Sequence, residues 1–197
     1  MDHQDLRRRM APELPAGLRE HIDRVVALGG KLAVRHGLDA ERVQLAAQGH
    51  DVLRALDDAD LLARAEARGM AIDPTERAAP LLLHGPLGAL ELSERFGVDD
   101  EPILHAVRWH TTGHPDFDPE AWAFFVADKA EPEKLRRWPE LERVLNLAAD
   151  SLEAAALAYL ELSAGRAERE GWQPHPVALR ARETLIERRR GARHRPT

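Results

Sequence analysis

The amino-acid sequence predicts an all-α protein, and three observations support this fold class. Alanine, leucine, arginine and glutamate dominate the composition, while the β-branched residues valine and isoleucine are sparse, which favours helices over strands. Apolar residues recur at helical spacing in several segments, and no segment shows a convincing strand alternation. Residues that cap helices, such as Asp39, and residues that end them, such as Gly37, bound these segments.

The helices of the first half of the chain are predicted from apolar stripes and capping residues. Residues 18–36 carry a stripe that includes Val25, and this helix is expected to end at Gly37. Asp39 is the expected N-cap of the next helix, and His50 lies on the apolar face of that helix. Three further helices are expected: one from residue 57 to about 69, a short one from 73, and one that follows residues 81–86 and ends at 97.

Glycine and proline residues bound the helices predicted in the second half of the chain. A helix after Gly97 is expected to end in the Gly/Pro loop that follows His110. The segment after Gly165 is charged and is expected to be looser than a helix. The remaining helices are expected over residues 119–130, from 138 through 159 as the longest, and over 176–190.

The chain length suits one domain with terminal extensions. Residues 1–17 are polar and are expected to form a flexible N-terminal arm. Residues 18–163 are expected to form the helical domain. Residues 164–197 are expected to form a C-terminal extension, with a helix that packs on the domain and a basic end.

Charge and composition exclude several classes of protein. The formal net charge of −6 argues against a general nucleic-acid-binding protein, although a local basic patch stays open. The chain has no cysteine, which excludes disulfides, zinc ribbons and thiol nucleophiles. No apolar run approaches the roughly 18 residues of a membrane span. No signal peptide is visible, so we expect a cytoplasmic protein without a membrane partner.

The chemistry is predicted to centre on the adjacent residues His50 and Asp51, at the end of an apolar helical run. Imidazole and carboxylate both bind metals, and a carboxylate can bridge two ions. The doublet alone is weak, because with 10 histidines in the chain roughly one His-Asp pair is expected by chance. His110 follows Gly97 by 13 residues, as His50 follows Gly37, and mere repetition of cap chemistry explains this echo equally well.

Several histidines and aspartates fall on apolar helix faces or at helix ends, namely His21, His50, Asp51, His110 and Asp128. His84 stands just before a Gly-Pro break. Each residue alone is explained by a satisfied polar group near the core. An unpaired buried polar group costs about 1–3 kcal/mol, however, so several of them together need a shared partner. Two metal ions would supply that partner.

At these residues the sequence resembles a known family. The order His21, His50-Asp51, Asp128 is similar to the H…HD…D signature of the HD-domain metal-dependent phosphohydrolases. Longer stretches resemble their YqeK-like branch, the symmetrical bis(5′-nucleosyl)-tetraphosphatases. These stretches are E-H-x-x-R-V at residues 20–25, L-H-G-P-x-G-A at 83–89, R-x-H-T-T-G at 108–113, A-D-x-x-E-P at 127–132 and H-P-x-x-L at 175–179. The match covers roughly residues 18–187, and the H-G-P and H-T-T-G stretches are far more specific than the doublet.

The resemblance implies an HD-domain helical bundle around a dinuclear transition-metal centre. The implied ligands are His21, His50, Asp51, His84, His110 and Asp128, with Asp51 bridging the two ions. A mixed nitrogen and oxygen donor set suits iron, manganese, cobalt or zinc more than magnesium, and the resemblance favours iron. Two such ions would activate water for in-line attack on phosphorus and stabilise the developing charge.

The candidates for contact with the phosphates of a substrate are Arg54, Thr111, Thr112, His114 and Lys129. Asp51, Arg54 and His114 are the expected catalytic residues, with His114 as the acid for the leaving group. The sequence departs from the family pattern at three positions, since the family usually has lysine at 54, arginine at 114 and an aromatic residue at 129. These departures bear on substrate preference more than on metal binding.

The resemblance implies a phosphoric anhydride hydrolase that cleaves diadenosine tetraphosphate symmetrically into two ADP. Three alternatives stay open: an HD phosphohydrolase for another nucleotide, a non-catalytic nucleotide-binding module, and a nucleic-acid-binding helical protein that uses the basic residues 188–190. The net charge of −6 speaks against the third alternative. A nucleotide is therefore the expected partner, and a homodimer is left open.

The remaining histidines are interpreted as bystanders to this chemistry. His36 is expected to be a cation at the C-terminal end of its helix, and His175 to serve the packing of the C-terminal extension. His105 precedes His110 by five residues, which is about 140° around a helix, so it is expected to point away from the ligand face. His3 and His194 are expected to be solvated.

Overall fold

The computed structural model describes residues 1–193, and within that range the chain forms helices and no strand. The α-helices are α1 (His3–Met10), α2 (Ala16–His36), α3 (Ala40–Gly49), α4 (Asp58–Ala67), α5 (Pro74–Ala78), α6 (His84–Glu91), α7 (Glu101–Arg108), α8 (Pro119–Lys129), α9 (Pro132–Arg137), α10 (Glu142–Ala148), α11 (Leu152–Glu170) and α12 (Pro176–Arg193). Short 3-10 turns at Ala11–Glu13, Pro80–Leu83 and Pro139–Leu141 and a π-helical segment at Leu92–Phe96 lie between them. The predicted all-α class is confirmed, whereas His194 lies outside the described residues.

Helix α8 lies at the centre of the fold, because nearly all of its residues are buried. Trp122, Phe124 and Phe125 are each no more than 1% exposed. Helices α2, α3 and α11 pack around α8, and α7 and α10 also contact it. The last turn of α8 therefore carries Asp128 into the interior, close to His50 at the end of α3.

Aspartate side chains begin several of the helices, as the sequence predicted. Asp39 and Asp57 each accept hydrogen bonds from backbone N–H groups in the first turn of the helix that follows them. Asp73 and Glu76 form a capping box at the start of α5. Gly37 ends α2 with a φ of 66°, a left-handed conformation that glycine adopts without strain.

The N-terminal segment differs from the expectation of a flexible arm over residues 1–17. It forms α1 and a 3-10 turn, and Leu6, Met10 and Leu14 are only 0%, 1% and 5% exposed. These three apolar residues are spaced four apart, so the segment presents one apolar face, and α1 packs against α3. The surrounding charged residues conceal this stripe when only the average polarity is considered.

The region predicted as one long helix over residues 138–159 is instead divided, and α2 is the longest helix of the described chain. A 3-10 turn and α10 come first, and α11 then starts after Ser151, whose hydroxyl accepts a hydrogen bond from the first turn. Helix α11 continues past Gly165, where a looser chain was expected. Arg166 and Glu170, four residues apart, form an ion pair at 2.7 Å that favours helix there.

The last helix, α12, packs against α11, and its residues Val177, Ala181 and Leu185 are buried. The division of the chain into a domain and a C-terminal extension stays a prediction. Within residues 1–193, no helix combines the length and the apolarity that crossing a membrane requires.

The substitution Leu6→Ala tests whether α1 is part of the folded core. We expect it to lower the free energy of unfolding by about 2–5 kcal/mol, because it removes a fully buried side chain and leaves a cavity. Chemical denaturation followed by circular dichroism measures this change. Val34→Ala is the matched control, since Val34 is 74% exposed and its truncation should change stability by less than about 0.5 kcal/mol. Equally small effects of both substitutions would contradict a packed N-terminal helix.

Candidate metal centre

Five helices bring together all six residues that the sequence predicted as metal ligands. They are His21 from the second turn of α2, His50 and Asp51 from the end of α3, His84 from the start of α6, His110 from the turn after α7 and Asp128 from the last turn of α8. All except His21 are at most 5% exposed. The six side chains therefore form one polar cluster inside an otherwise apolar core.

The carboxylate of Asp51 lies in the middle of this cluster and faces two sets of histidines. Its Oδ2 atom is 3.3 Å from Nε2 of His50 and 3.7 Å from Nε2 of His21. Its Oδ1 atom is 3.1 Å from Nε2 of His84 and 3.6 Å from Nε2 of His110. Each oxygen of one carboxylate thus points to a different pair of imidazole nitrogens.

Asp128 joins one of these two sets. Its Oδ1 atom is 3.3 Å from Nε2 of His21 and 3.7 Å from Nε2 of His50. We call His21, His50, Asp51 and Asp128 the outer group, and Asp51, His84 and His110 the inner group. Potential ligand atoms of His21, His50 and Asp51, and likewise of the inner group, lie within 4.8 Å of one another, so each group has the dimensions of a metal site.

Hydrogen bonds fix the protonation of three of the histidine rings. Nδ1 of His50 lies 2.7 Å from Ala47 O, and Nδ1 of His110 lies 2.7 Å from Val107 O. Nδ1 of His84 makes the same kind of hydrogen bond to Leu81 O. Since only an N–H can donate to a carbonyl, each of these neutral rings keeps its proton on Nδ1 and a lone pair on Nε2.

The resulting lone pairs have no suitable partner within the protein. Nε2 of His84 and Nε2 of His110 are 3.0 Å apart, and two lone pairs at this distance repel each other. Nε2 of His50 is buried and has no hydrogen-bond partner among residues 1–193. A metal cation accepts electron density from such nitrogens, so the residues present fit a metal centre.

The charge states of the cluster agree with this role. Burial lowers the pKa of His110 to about 3, which keeps the ring neutral and able to bind a metal. Burial by itself would raise the pKa of Asp128, but the charges of Lys129 and Lys134 outweigh it and hold that pKa well below its ordinary value. Asp128 is therefore an anion in the folded protein.

The structure also reveals charged partners of these residues that the sequence did not identify. Nδ1 of His21 lies 3.4 Å from Oε1 of Glu131, which is only 1% exposed. The other oxygen of Glu131 accepts a hydrogen bond from Arg24 Nε at 2.6 Å. Lys134 donates to Asp128 Oδ1 at 2.7 Å. Arg24 and Glu131 do stand in the quoted motifs at residues 20–25 and 127–132, and this is the signal that could have found them, whereas Lys134 stands in none.

The predicted phosphate-binding residues are distributed differently from the metal ligands. Arg54 is exposed, and its backbone N–H donates to Asp51 O at 3.0 Å, which holds it beside the cluster. Thr111 is partly exposed, but Thr112 is buried and its hydroxyl donates to Gly113 O at 3.0 Å. Lys129 is buried and donates to Asp128 Oδ2 at 2.7 Å.

His114 lies apart from the cluster within an aromatic group. Its ring centroid is 4.5 Å from that of His105 and 5.4 Å from that of Trp109. No contact in the described part of the chain joins His114 to any of the six clustered residues. His105 accordingly points away from His110, as the helical spacing predicted.

The other histidines make local contacts. Nε2 of His36 lies 2.7 Å from Ala148 O, and His175 is buried. His3, expected to be solvated, instead contacts the carboxylate of Glu41 at 2.9 Å, because α1 packs against α3. None of these three residues contacts the six clustered residues within residues 1–193.

Comparisons with known proteins agree with this arrangement. The family model described as "HD domain" matches residues 18–133 of the chain. A protein of Halalkalibacterium halodurans named symmetrical bis(5′-nucleosyl)-tetraphosphatase is 31% identical over 154 residues, which cover 76% of this chain and 78% of that protein. A protein of the same name from Bacillus subtilis is 32% identical over 130 residues, which cover 64% of this chain and 67% of the relative.

A solved structure shares the fold. The crystal structure of a predicted HD superfamily hydrolase involved in NAD metabolism, from Clostridium acetobutylicum, superposes with a TM-score of 0.88 at 23% identity. The superposition covers 95% of this chain and 98% of that one, so the similarity extends over nearly the whole fold. The chain therefore belongs to the HD-domain family and, within it, to the group of the symmetrical bis(5′-nucleosyl)-tetraphosphatases.

Proposed function

We propose that this chain hydrolyses diadenosine tetraphosphate symmetrically into two ADP, in a reaction that depends on two metal ions. One observation carries the proposal: the buried carboxylate of Asp51 faces a separate set of imidazole nitrogens with each of its oxygens. This arrangement suits a carboxylate that bridges two ions, as in many enzymes that cleave phosphate bonds. The similarity to relatives named for symmetrical cleavage supports the choice of substrate.

The proposed ligands are the residues of the outer group and the inner group, with Asp51 shared by both. Iron is the proposed metal, because the sequence motifs resemble those of iron-dependent relatives, and manganese, cobalt and zinc also suit this nitrogen and oxygen donor set. When bound, two such ions would activate water and stabilise the charge on the transferred phosphoryl group.

The contribution of the protein is to fix the geometry and the charge of the centre. The hydrogen bonds from Nδ1 to backbone carbonyls hold the rings of His50 and His110 in one orientation before any ligand arrives. Burial of the inner group excludes bulk water, so electrostatic interactions are stronger there than at the surface.

Arg54 is the proposed phosphate contact beside Asp51, because its side chain is exposed and its backbone is tied to that residue. Thr111 is the second proposed contact, since it follows His110 directly and is partly exposed. The internal contacts of Thr112, His114 and Lys129 favour a supporting role for these three residues.

Another nucleoside polyphosphate is the competing substrate. The observation that favours it is the set of departures from the family pattern at positions 54, 114 and 129. Either substrate would agree with the expected cytoplasmic location, because nucleotides are the common substrate class.

The first test of this function concerns the metal. We expect wild-type protein to purify with about one to two transition-metal ions per chain, and Asp51→Ala to lose most of the metal and all of the hydrolysis. Elemental analysis and a turnover assay measure the two effects. Asp58→Ala is the control, because Asp58 is an exposed aspartate in the next helix and should keep both. Full activity of metal-free Asp51→Ala would refute the dinuclear centre.

A second test separates a ligand from a neighbour on the same chain segment. His110→Ala should lose metal and activity, because its Nε2 lies in the inner group. His105→Ala should keep both within about twofold, since its ring packs on His114 and outside the cluster. Metal content and turnover are compared for the two variants after circular dichroism confirms folding. Identical behaviour of the two would show that the ligand assignment is incorrect.

A third test concerns the cleavage point. Chromatography of diadenosine tetraphosphate after limited turnover should give ADP as the nucleotide product. Arg54→Ala should lower kcat/KM by roughly tenfold or more, because a charge-assisted hydrogen bond to phosphate is lost, while the metal content stays unchanged. Arg54→Lys should retain much of the activity. Formation of ATP and AMP would contradict symmetrical cleavage, and hydrolysis of only another nucleotide would favour the competing substrate.

A further inference from the structure

The metal centre opens to solvent on the side of His21. The His21 side chain is 15% exposed, whereas the side chains of the other five clustered residues are at most 8% exposed. A substrate must therefore approach past His21. The charged side chains beside His21 are the first groups that its phosphates would meet.

Lys134 stands on this side and has a hydrogen-bond donor to spare. Its Nζ donates to Asp128 O at 2.6 Å and to Asp128 Oδ1 at 2.7 Å. An ammonium group has three N–H donors, and the third has no acceptor among residues 1–193. The Lys134 side chain is 27% exposed, so this third donor is available to a ligand from solvent.

Arg24 has the same properties on the neighbouring helix. It follows His21 by three residues, so both side chains lie on one face of α2. Its Nε donates to Glu131 at 2.6 Å, and its side chain is 32% exposed. The two terminal nitrogens of its guanidinium have no hydrogen-bond acceptor in the described part of the chain, and they form the fork that matches a phosphate.

Lys129 shows by contrast what an internal cation looks like in this fold. Its side chain is 8% exposed, and its Nζ lies 5.1 Å from the ring centroid of Phe125 and 5.6 Å from that of Tyr159. It donates to the second oxygen of Asp128 at 2.7 Å. Lys129 thus neutralises Asp128 from within, which leaves Lys134 able to serve a second anion.

We propose that Arg24 and Lys134 form a phosphate clamp that binds the polyphosphate chain of the substrate beside the metal centre, an inference that rests on the function proposed above. The clamp supplies a forked guanidinium and a point charge to oxygens that carry several negative charges. The buried carboxylates of Glu131 and Asp128 hold the two cations in place. The side chains are therefore ordered before the substrate arrives, which lowers the entropic cost of binding.

The test measures binding of inorganic tripolyphosphate to the metal-loaded protein by isothermal titration calorimetry. We expect Lys134→Ala to raise the Kd about tenfold or more, with unchanged metal content and an unchanged thermal midpoint. Lys134→Arg, which keeps the charge, should stay within a few-fold of the wild type. In turnover assays KM should rise while kcat stays within about twofold, because the contact exists in both the bound substrate and the transition state.

The second half of the clamp is tested by Arg24→Lys, which keeps a cation beside the buried Glu131 but removes the fork. Its Kd for tripolyphosphate should rise several-fold. Arg136→Ala is the matched control, because Arg136 lies on α9 near Lys134, is 75% exposed and is paired with Glu133. This variant should bind tripolyphosphate like the wild type.

The outcomes distinguish the clamp from the proposed function. Wild-type tripolyphosphate affinity in Lys134→Ala overturns the clamp, even if diadenosine tetraphosphate is cleaved. Loss of metal from Lys134→Ala also overturns it, because Lys134 would then act only through Asp128. Weaker tripolyphosphate binding by this variant supports the clamp, and if the wild type does not cleave diadenosine tetraphosphate, only the proposed substrate fails.

Discussion

The structure depends on one constraint: the carboxylate of Asp51 is buried, and a buried charge must be surrounded by groups that stabilise it. No single helix can supply those groups, so α2, α6, α7 and α8 converge on the end of α3. This convergence accounts for the glycine of the H-G-P stretch. A Cβ atom on Gly85 would lie 2.8 Å from the backbone oxygen of Arg108, so a larger residue would push α6 away from α7. Glycine at this position keeps His84 and His110 close together.

Helix ends also orient the histidine rings. Inside a helix the carbonyl oxygens are taken up by backbone N–H groups, but at the ends they are free. His50 and His110 each lie at a helix end and use the carbonyl three residues earlier. His21 lies within α2, and the carboxylate of Glu131 faces its Nδ1 instead. One ring of the cluster therefore has a charged partner, which makes it more basic than the others.

Much of this centre could be predicted from the sequence, because each candidate ligand is marked by the periodicity or the motif of its own segment. The capping residues, such as Asp39, likewise depend only on local chemistry. The contacts of Glu131 and Lys134 could not be predicted, since they depend on how segments distant in the chain pack together. The stripe of Leu6 and Met10 was visible in the sequence, but the surrounding charges diluted it.

The break before α11 escaped prediction for a different reason. Serine is tolerated within helices as well as at their starts, so Ser151 alone does not distinguish a continuous helix from a new one. Asp150 next to it is exposed and forms only a long ion pair of 3.8 Å with Arg35. The apolar periodicity on both sides of Ser151 suggested continuity, and only the packed structure shows where the chain turns.

The ion pairs around the outer group have a consequence for how the protein is assembled. Three carboxylates and three cations stand together there, and the nearby rings of the inner group are neutral: Asp51, Asp128, Glu131, Arg24, Lys129 and Lys134. Anions that normally repel one another in an empty metal site are thus balanced by the chain itself. Small zinc domains fold only when the ion binds, because nothing else holds their ligands together. This protein can complete its fold first and take up metal afterwards, so exchange of one metal for another requires no unfolding.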